Sequence, residues 1–165
     1  MQSTTQNQHS ASAERKKVGM LVPPPVLLLA TVVLGIGLHL LLLGPFALSP
    51  ARSLLGGCVI VLALISIAFS ARRFKAAGTP VRPVSPATAI VSSGPYRISR
   101  NPMYVGMAAL LLGLSVILGS YVLLLGLVLF VFVVHFAVVL PEERYLESLH
   151  GETYRQYKQS VRRWL

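Results

Sequence analysis

The chain has 165 residues, of which 54% are hydrophobic and 12% are charged, and it carries a formal net charge of +10. Soluble domains carry about 25% charged residues, so this composition excludes an ordinary soluble domain and favours a membrane protein. Cys58 is the only cysteine, which excludes an intramolecular disulfide, and we predict no metal site.

The N-terminal residues 1–17 are predicted to form a disordered cytoplasmic tail, because residues 1–13 are rich in Ser, Thr, Gln and Asn. A cleaved signal peptide is the alternative for residues 15–43. The apolar stretch there is longer than the usual 7–15 residues of such a peptide, and three prolines from Pro23 stand where a helix would begin. We therefore favour an uncleaved first span.

Three stretches lack Asp, Glu, Lys and Arg: Val26–Leu43, Leu54–Ser70 and Met103–Leu140. The first two are near the lower limit for crossing a hydrocarbon core of roughly 30 Å. The third would be nearly twice that length as one straight helix, so it should turn back near Gly119-Ser120. This return should make Arg100 and Glu142 neighbours across a common pocket. Because spanning segments in lipid must satisfy their own backbone groups, the predicted fold is an all-α membrane protein with four transmembrane helices in two hairpins.

The Lys and Arg residues are distributed unequally between the two sides of this fold. Four spans place both termini and the loop 71–102 on one side, and Arg52 is the single basic residue on the other. This bias makes the first side cytoplasmic, and we expect a multi-pass protein of a prokaryotic cell membrane with both termini in the cytoplasm. The surplus of Lys and Arg is explained by the orientation of the chain in the membrane and by attraction to anionic lipid. We therefore predict no nucleic-acid partner. Oligomeric state is not predicted.

The chain divides into a nearly apolar N-terminal hairpin, residues 18–70, which we interpret as scaffold, and a polar half, residues 71–165, which we predict to be catalytic. A loop with four prolines, Gly78–Pro95, opens the second half. It is interpreted as a lid or pocket wall, with a solvated linker as the alternative.

The third span is predicted to begin at Asn101-Pro102, since Asn is a favoured N-cap and Pro a favoured first helical residue. That explanation needs no function, but the free amides of the helix start would also stand beside Arg97 and Arg100. Such a position suits a carboxylate or a phosphate. Tyr96 and Tyr104 flank the helix start. Taken alone, each tyrosine is explained as a membrane anchor.

Glu142 and Glu143 close the fourth span, where a carboxylate is costly unless it is paired. The structural alternative to a functional role is a salt bridge to Arg97, Arg100 or Arg144. His135 precedes Glu142 by seven residues and is predicted to share its helical face, as a packing residue or a substrate contact. Beyond Pro141 the spacing of Tyr154, Tyr157, Val161 and Trp164 predicts an amphipathic helix at the cytoplasmic interface, broken from the preceding turns at Gly151.

Four motifs in order make the chain resemble the isoprenylcysteine carboxyl methyltransferase and phospholipid methyltransferase superfamily of small membrane enzymes. They are Gly94-Pro95-Tyr96-Arg97, Arg100-Asn101-Pro102-Met103-Tyr104-Val105-Gly106, Glu142-Glu143 and Gly151-Glu152-x-Tyr154-x-x-Tyr157. The similarity covers about half of the chain, from Gly78 to Trp164.

The resemblance implies a methyltransferase that uses S-adenosylmethionine without a Rossmann domain and transfers the methyl group to a lipophilic acceptor from the bilayer. The acceptor would be isoprenylcysteine-like, a phospholipid amine or another small lipophilic molecule. The implied cofactor contacts are Thr88, Ala89, Ile90, Val91, Tyr96, Arg100, Asn101, Pro102, Met103, Tyr104 and Glu142. The candidate catalytic residues are Arg100, Glu142, Glu143 and His135.

Two positions depart from the family pattern. Asn101 stands where the family usually has His, which removes an imidazole but keeps a hydrogen-bonding side chain. Enzymes that methylate the prenylcysteine carboxylate resemble one another in having an arginine four residues before the first Glu, where this chain has Val138. This difference is evidence against a carboxylate acceptor. The alternative function is a non-enzymatic membrane accessory protein or a small transporter, although the spans carry almost no polar groups beyond His39 and His135.

Overall fold

The computed structural model describes residues 23–46, 48–76 and 90–165, and in these parts the chain is helical without strands. The helices are α1 (Pro24–Leu43), α2 (Pro50–Ala76), α3 (Pro102–Leu118), α4 (Tyr121–Val134), α5 (Leu140–His150) and α6 (Glu152–Ser160). A short 3₁₀ turn, Gly94–Arg97, precedes α3, and a π-helical turn, His135–Val139, joins α4 to α5 without a break.

Three helices are long and apolar enough to cross a membrane: α1, α2 and the continuous helix Tyr121–His150. The prediction of four spans is thus supported for three. The remaining helix, α3, is also apolar but has only 17 residues. At about 1.5 Å per residue it reaches about 26 Å, slightly less than a typical hydrocarbon core. The outer faces of the long helices leave large apolar side chains exposed, among them Leu34, Leu41 and Leu54, as expected for surfaces in contact with lipid.

The predicted turn near Gly119-Ser120 is confirmed, since α3 ends at Leu118 and α4 begins at Tyr121. Gly119 has a left-handed backbone (φ 60°), a conformation that glycine adopts at no steric cost. The side chain of Ser120 caps α4 by accepting a hydrogen bond from the amide of Leu123. The same hydroxyl lies 2.9 Å from Nδ1 of His39, a buried contact that joins the turn to the end of α1.

The main helix contact is between α2 and α3, and glycine makes it close. A Cβ added at Gly56 would lie 2.5 Å from the carbonyl oxygen of Gly113, and one added at Gly106 would meet Ile67 at the same distance. A Cβ added at Gly113 would likewise lie 2.8 Å from the carbonyl oxygen of Gly56. The other large contacts pair α1 with α4 and α3 with α4, around a core that includes Leu111 and Phe130. This packing holds the start of α3 beside the start of α5.

One prediction about the end of the chain is wrong. Helix α6 ends at Ser160, and Val161 is extended (φ −129°, ψ 135°), so Val161 and Trp164 do not continue the predicted amphipathic helix. The cause is pairing with a distant segment: Ser99 and Arg162 form an isolated parallel bridge.

The π turn also separates His135 from the face of Glu142. A π turn holds one residue more than an α turn, so a spacing of seven residues across it no longer returns to the same face.

Candidate active site

The polar clusters at the starts of α3 and α5 meet around one pocket. Its empty volume, including the open mouth, is about 420 Å³. The pocket is lined by Phe74, Ile90, Val91, Tyr96, Arg100, Asn101, Glu142, Glu143, Leu146, Tyr154 and Tyr157. The return of the chain at Gly119-Ser120 therefore brings Arg100 and Glu142 to a common cavity, as the sequence predicts.

The two neighbouring carboxylates of the pocket have different partners. Oε2 of Glu142 accepts a hydrogen bond of 3.2 Å from the hydroxyl of Tyr104. Glu143 is paired with arginines: its Oε1 lies 3.0 Å from Nη1 of Arg100, and it takes two hydrogen bonds from Arg163. The predicted salt bridge between Glu143 and Arg100 is present, and Arg163 is a second partner that was not predicted.

Arg100 is buried beside this pocket with unused hydrogen-bonding capacity. Its side chain is only 9% exposed. Although Nη1 is close to Glu143, neither Nη1 nor Nε has an aligned hydrogen-bond partner in the described part of the chain. A buried donor without a partner is costly, so these atoms are suited to an anionic ligand.

Asn101 lies at the N-cap position of α3, as predicted, but its side chain does not cap the helix. Its Nδ2 instead donates to the carbonyl oxygen of Arg163 at 2.9 Å. The side chain does not cap the helix because the C-terminal segment, 161–165, lies beside this helix start and accepts the hydrogen bond from the Asn101 amide. The amide nitrogen of Arg100 donates to the carbonyl oxygen of Arg162, which reinforces the same contact.

Aromatic rings form two pairs along the pocket. The centroids of Phe74 and Tyr96 are 5.1 Å apart, and those of Tyr154 and Tyr157 are 6.1 Å apart. The hydroxyl of Tyr157 donates to the carbonyl oxygen of Tyr96 at 2.7 Å, which links α6 to the 3₁₀ turn. Burial raises the pKa of Tyr157 to about 12 and raises the pKa of Tyr96 further, so both hydroxyls stay protonated at neutral pH.

The structure places the predicted site residues in three groups. Seven line the pocket: Ile90, Val91, Tyr96, Arg100, Asn101, Glu142 and Glu143. Pro102, Met103, Tyr104 and His135 do not, and Thr88 and Ala89 lie outside the described residues.

Two of the residues away from the lining have defined partners. Tyr104 contacts the site through Glu142. His135 accepts a hydrogen bond from Nε1 of Trp164 at 3.2 Å, and its ring lies against that indole and Phe136. The structure therefore supports the packing interpretation of His135.

Four residues that line the pocket, and Arg163, which pairs with Glu143, were not predicted from the sequence; the four are Phe74, Leu146, Tyr154 and Tyr157. Signals for two of them were present, because Tyr154 and Tyr157 belong to the last of the four family motifs. Arg163 could have been suspected from charge, since buried carboxylates need partners and the tail supplies cations. In the described residues, no cluster of three or more His, Cys, Asp or Glu side chains is arranged to hold a metal ion.

Comparison with known proteins agrees with this arrangement. The model of a family described as phospholipid methyltransferase matches residues 51–153, more than half of the chain. An uncharacterized protein of Haemophilus influenzae is 43% identical over 63 residues, which are 38% of this chain and the whole of that protein.

A protein-S-isoprenylcysteine O-methyltransferase of Schizosaccharomyces pombe is 39% identical over 74 residues, which are 44% of this chain and 30% of that protein. No solved structure matches. The matched family region contains the helix starts that carry Arg100, Glu142 and Glu143, and the chain belongs to the phospholipid methyltransferase family of membrane methyltransferases.

Proposed function

We propose that this protein is an S-adenosylmethionine-dependent methyltransferase that acts on a lipophilic acceptor in the membrane. The observation that carries the proposal is the pocket in which Arg100 and Glu142 meet, with aromatic rings nearby and with buried donors on the arginine that have no aligned hydrogen bond within the described residues. Family membership supplies the reaction class.

The residues of the pocket fit the parts of this cofactor. Nε and Nη1 of Arg100 would hold its carboxylate. Glu142, whose partner is a neutral tyrosine rather than an arginine, would hold its ammonium. The rings of Tyr96 and Tyr157 and the side chains of Ile90 and Val91 offer an apolar wall for the adenine.

S-adenosylmethionine would supply the methyl group, which is bonded to a sulfonium sulfur. The methyl group would pass to the nucleophilic atom of the acceptor, and the sulfur would keep the bonding electron pair and become a neutral thioether. The protein contributes orientation above all, because in-line transfer depends on alignment of the reacting atoms. Charge pairing by Arg100 and Glu142 fixes one end of the cofactor, and the aromatic walls keep water away. No covalent enzyme intermediate is needed.

The acceptor is proposed to be an isoprenylcysteine-like molecule, a phospholipid amine or another small lipophilic molecule that enters from the bilayer. The description of the family favours a phospholipid acceptor. The similarity to the Schizosaccharomyces pombe enzyme favours an isoprenylcysteine-like acceptor. Val138 is evidence against an acceptor that is methylated on a carboxylate. An amine acceptor also requires a base. Glu143 lines the pocket and His135 does not, so Glu143 or solvent is the better candidate for this role.

We further propose that both termini and the pocket face the cytoplasm. In this arrangement residues 18–70 are a scaffold and residues 71–165 form the catalytic half. The support is the excess of Lys and Arg on the side that carries the pocket, with Arg52 near the opposite end of α2. The C-terminal helix α6 would lie at the interface, since Tyr154 is buried against the site while Arg155 is exposed.

Isothermal titration of the purified protein with S-adenosylmethionine tests the proposal. Wild type should bind, and Glu142→Ala should lose most of the affinity. Glu152→Ala is the matched control, because it removes a carboxylate that is 65% exposed and lies outside the pocket. No binding by wild type, or equal binding by Glu142→Ala, would refute the site. Incubation with labelled cofactor and a lipid extract then identifies the acceptor.

A further inference from the structure

The C-terminal segment, 161–165, is held against the start of α3 by backbone contacts. The amide of Arg100 donates to the carbonyl oxygen of Arg162 at 2.9 Å, and the Asn101 side chain donates to the carbonyl oxygen of Arg163 at the same distance. These contacts place the Arg163 side chain next to the carboxylates at the start of α5. The sequence positions are far apart, and only the fold joins them.

Arg163 forms a two-point contact with Glu143. Its Nε donates to Oε1 at 3.0 Å and its Nη2 donates to Oε2 at 2.9 Å. The Glu143 side chain is only 7% exposed, so this carboxylate depends on protein partners rather than on water. Paired hydrogen bonds between a guanidinium and a carboxylate are among the strongest that proteins form. Glu143 therefore has its two aligned hydrogen bonds from Arg163, in addition to the ion pair with Nη1 of Arg100.

The pairing of Glu143 with Arg163 changes what Arg100 can do. Nη1 of Arg100 forms an ion pair of 3.0 Å with Oε1 of Glu143, but the aligned hydrogen bonds of that carboxylate go to Arg163. Within the described residues, neither Nη1 nor Nε of Arg100 has an aligned hydrogen bond. Were Glu143 not neutralised, its charge would attract Arg100 strongly in this poorly solvated place. The guanidinium of Arg100, which already lies 3.0 Å from Glu143 through Nη1, would then turn to make aligned hydrogen bonds with that carboxylate.

We infer that Arg163 is a positioning residue: by neutralising Glu143 it reserves the Arg100 guanidinium for the carboxylate of the bound ligand. Arg163 does not line the pocket, so it acts through Glu143. With Glu143 and Arg163 paired, the pocket presents one cation, Arg100, and one anion, Glu142. This pair is complementary to the carboxylate and ammonium of an α-amino acid group, and the inference therefore rests on the proposed use of S-adenosylmethionine.

The test is titration of Arg163→Gln with two probes that differ by one carboxylate, S-adenosylmethionine and decarboxylated S-adenosylmethionine. The variant should bind the first probe at least about tenfold more weakly than wild type does, the worth of one charge-assisted hydrogen bond. Its affinity for the decarboxylated probe should be unchanged. Arg162→Gln is the matched control, since it removes the same charge from an exposed side chain of the same segment.

A second variant separates electrostatic positioning from a merely structural role. In the double variant Arg163→Gln/Glu143→Gln the carboxylate that would compete for Arg100 is gone, so affinity for S-adenosylmethionine should return to within about threefold of wild type. This comparison also serves if the single variant proves too unstable to purify.

Three results would overturn the inference while wild type still binds: unchanged affinity of Arg163→Gln for S-adenosylmethionine, equal losses for both probes, or no recovery in the double variant. Failure of wild type itself to bind S-adenosylmethionine would instead refute the proposed function, and the role of Arg163 would be refuted with it.

Discussion

The hydroxyl of Tyr104, in the first turn of α3, donates a hydrogen bond of 3.2 Å to Oε2 of Glu142, in the first turn of α5. This contact joins two helix starts across the hairpin and fixes the rotamer of the acidic residue proposed to hold the cofactor ammonium. Tyr104 itself does not line the pocket, so its contribution passes through Glu142.

Tyr104→Phe should weaken binding of S-adenosylmethionine by about fivefold, because a hydrogen bond of this kind is worth about 1 kcal/mol. Titration calorimetry measures the change. Tyr121→Phe is the control, since that ring is 81% exposed at the other end of the hairpin and should bind like wild type. An unchanged affinity of Tyr104→Phe would show that Glu142 does not need this partner.

Gly56→Ala should destabilise the protein, whereas the neighbouring Gly57→Ala should not. A Cβ at Gly56 would lie 2.5 Å from the backbone oxygen of Gly113, while at Gly57 nothing lies within 4 Å. Crowding at a close helix contact costs about 1–3 kcal/mol, so α2 and α3 should separate more easily. Thermal unfolding in detergent measures the difference. Equal melting temperatures for the two variants would contradict the close packing of these helices.

Ser120→Ala should lower the free energy of unfolding by about 1–2 kcal/mol, since it removes the cap of α4 and leaves the buried His39 without its hydroxyl partner. The loss should appear in the melting temperature and not in cofactor affinity, because the turn lies at the end of the hairpin opposite the pocket. Ser53→Ala, at an exposed serine of α2, is the control. A change in affinity without a change in melting temperature would contradict this assignment.

Tyr157→Phe should reduce the alkaline sensitivity of the fold. Burial raises the pKa of Tyr157 from the ordinary value of about 10 to about 12, so the folded state favours the protonated hydroxyl. The resulting stabilisation is complete below about pH 10 and is lost as the pH rises through about 12. Melting temperatures at a series of alkaline pH values should therefore fall more steeply for wild type than for Tyr157→Phe. Parallel curves would show that this hydroxyl keeps its ordinary pKa.

A residue of the site could be predicted from the sequence when the interactions that define its role are with residues of its own segment. Pro102 and Gly119 act locally, one at a helix start and one at a turn, and both were predicted correctly. Asn101 has the right position, but its side-chain partner is Arg163, 62 residues away, which no local rule supplies. His135 was placed on the wrong face because a π turn leaves no mark in the pattern of apolar residues.

The sequence by itself determined the class of the protein, the turn that folds the last apolar stretch back on itself, and the meeting of Arg100 with Glu142. These follow from hydropathy, helix length and chain reversal, which are properties of single segments. Only the tertiary structure decided which carboxylate is paired with arginine and which with a tyrosine. That choice depends on where the C-terminal segment packs, because a buried charge takes the partner that lies nearest in space.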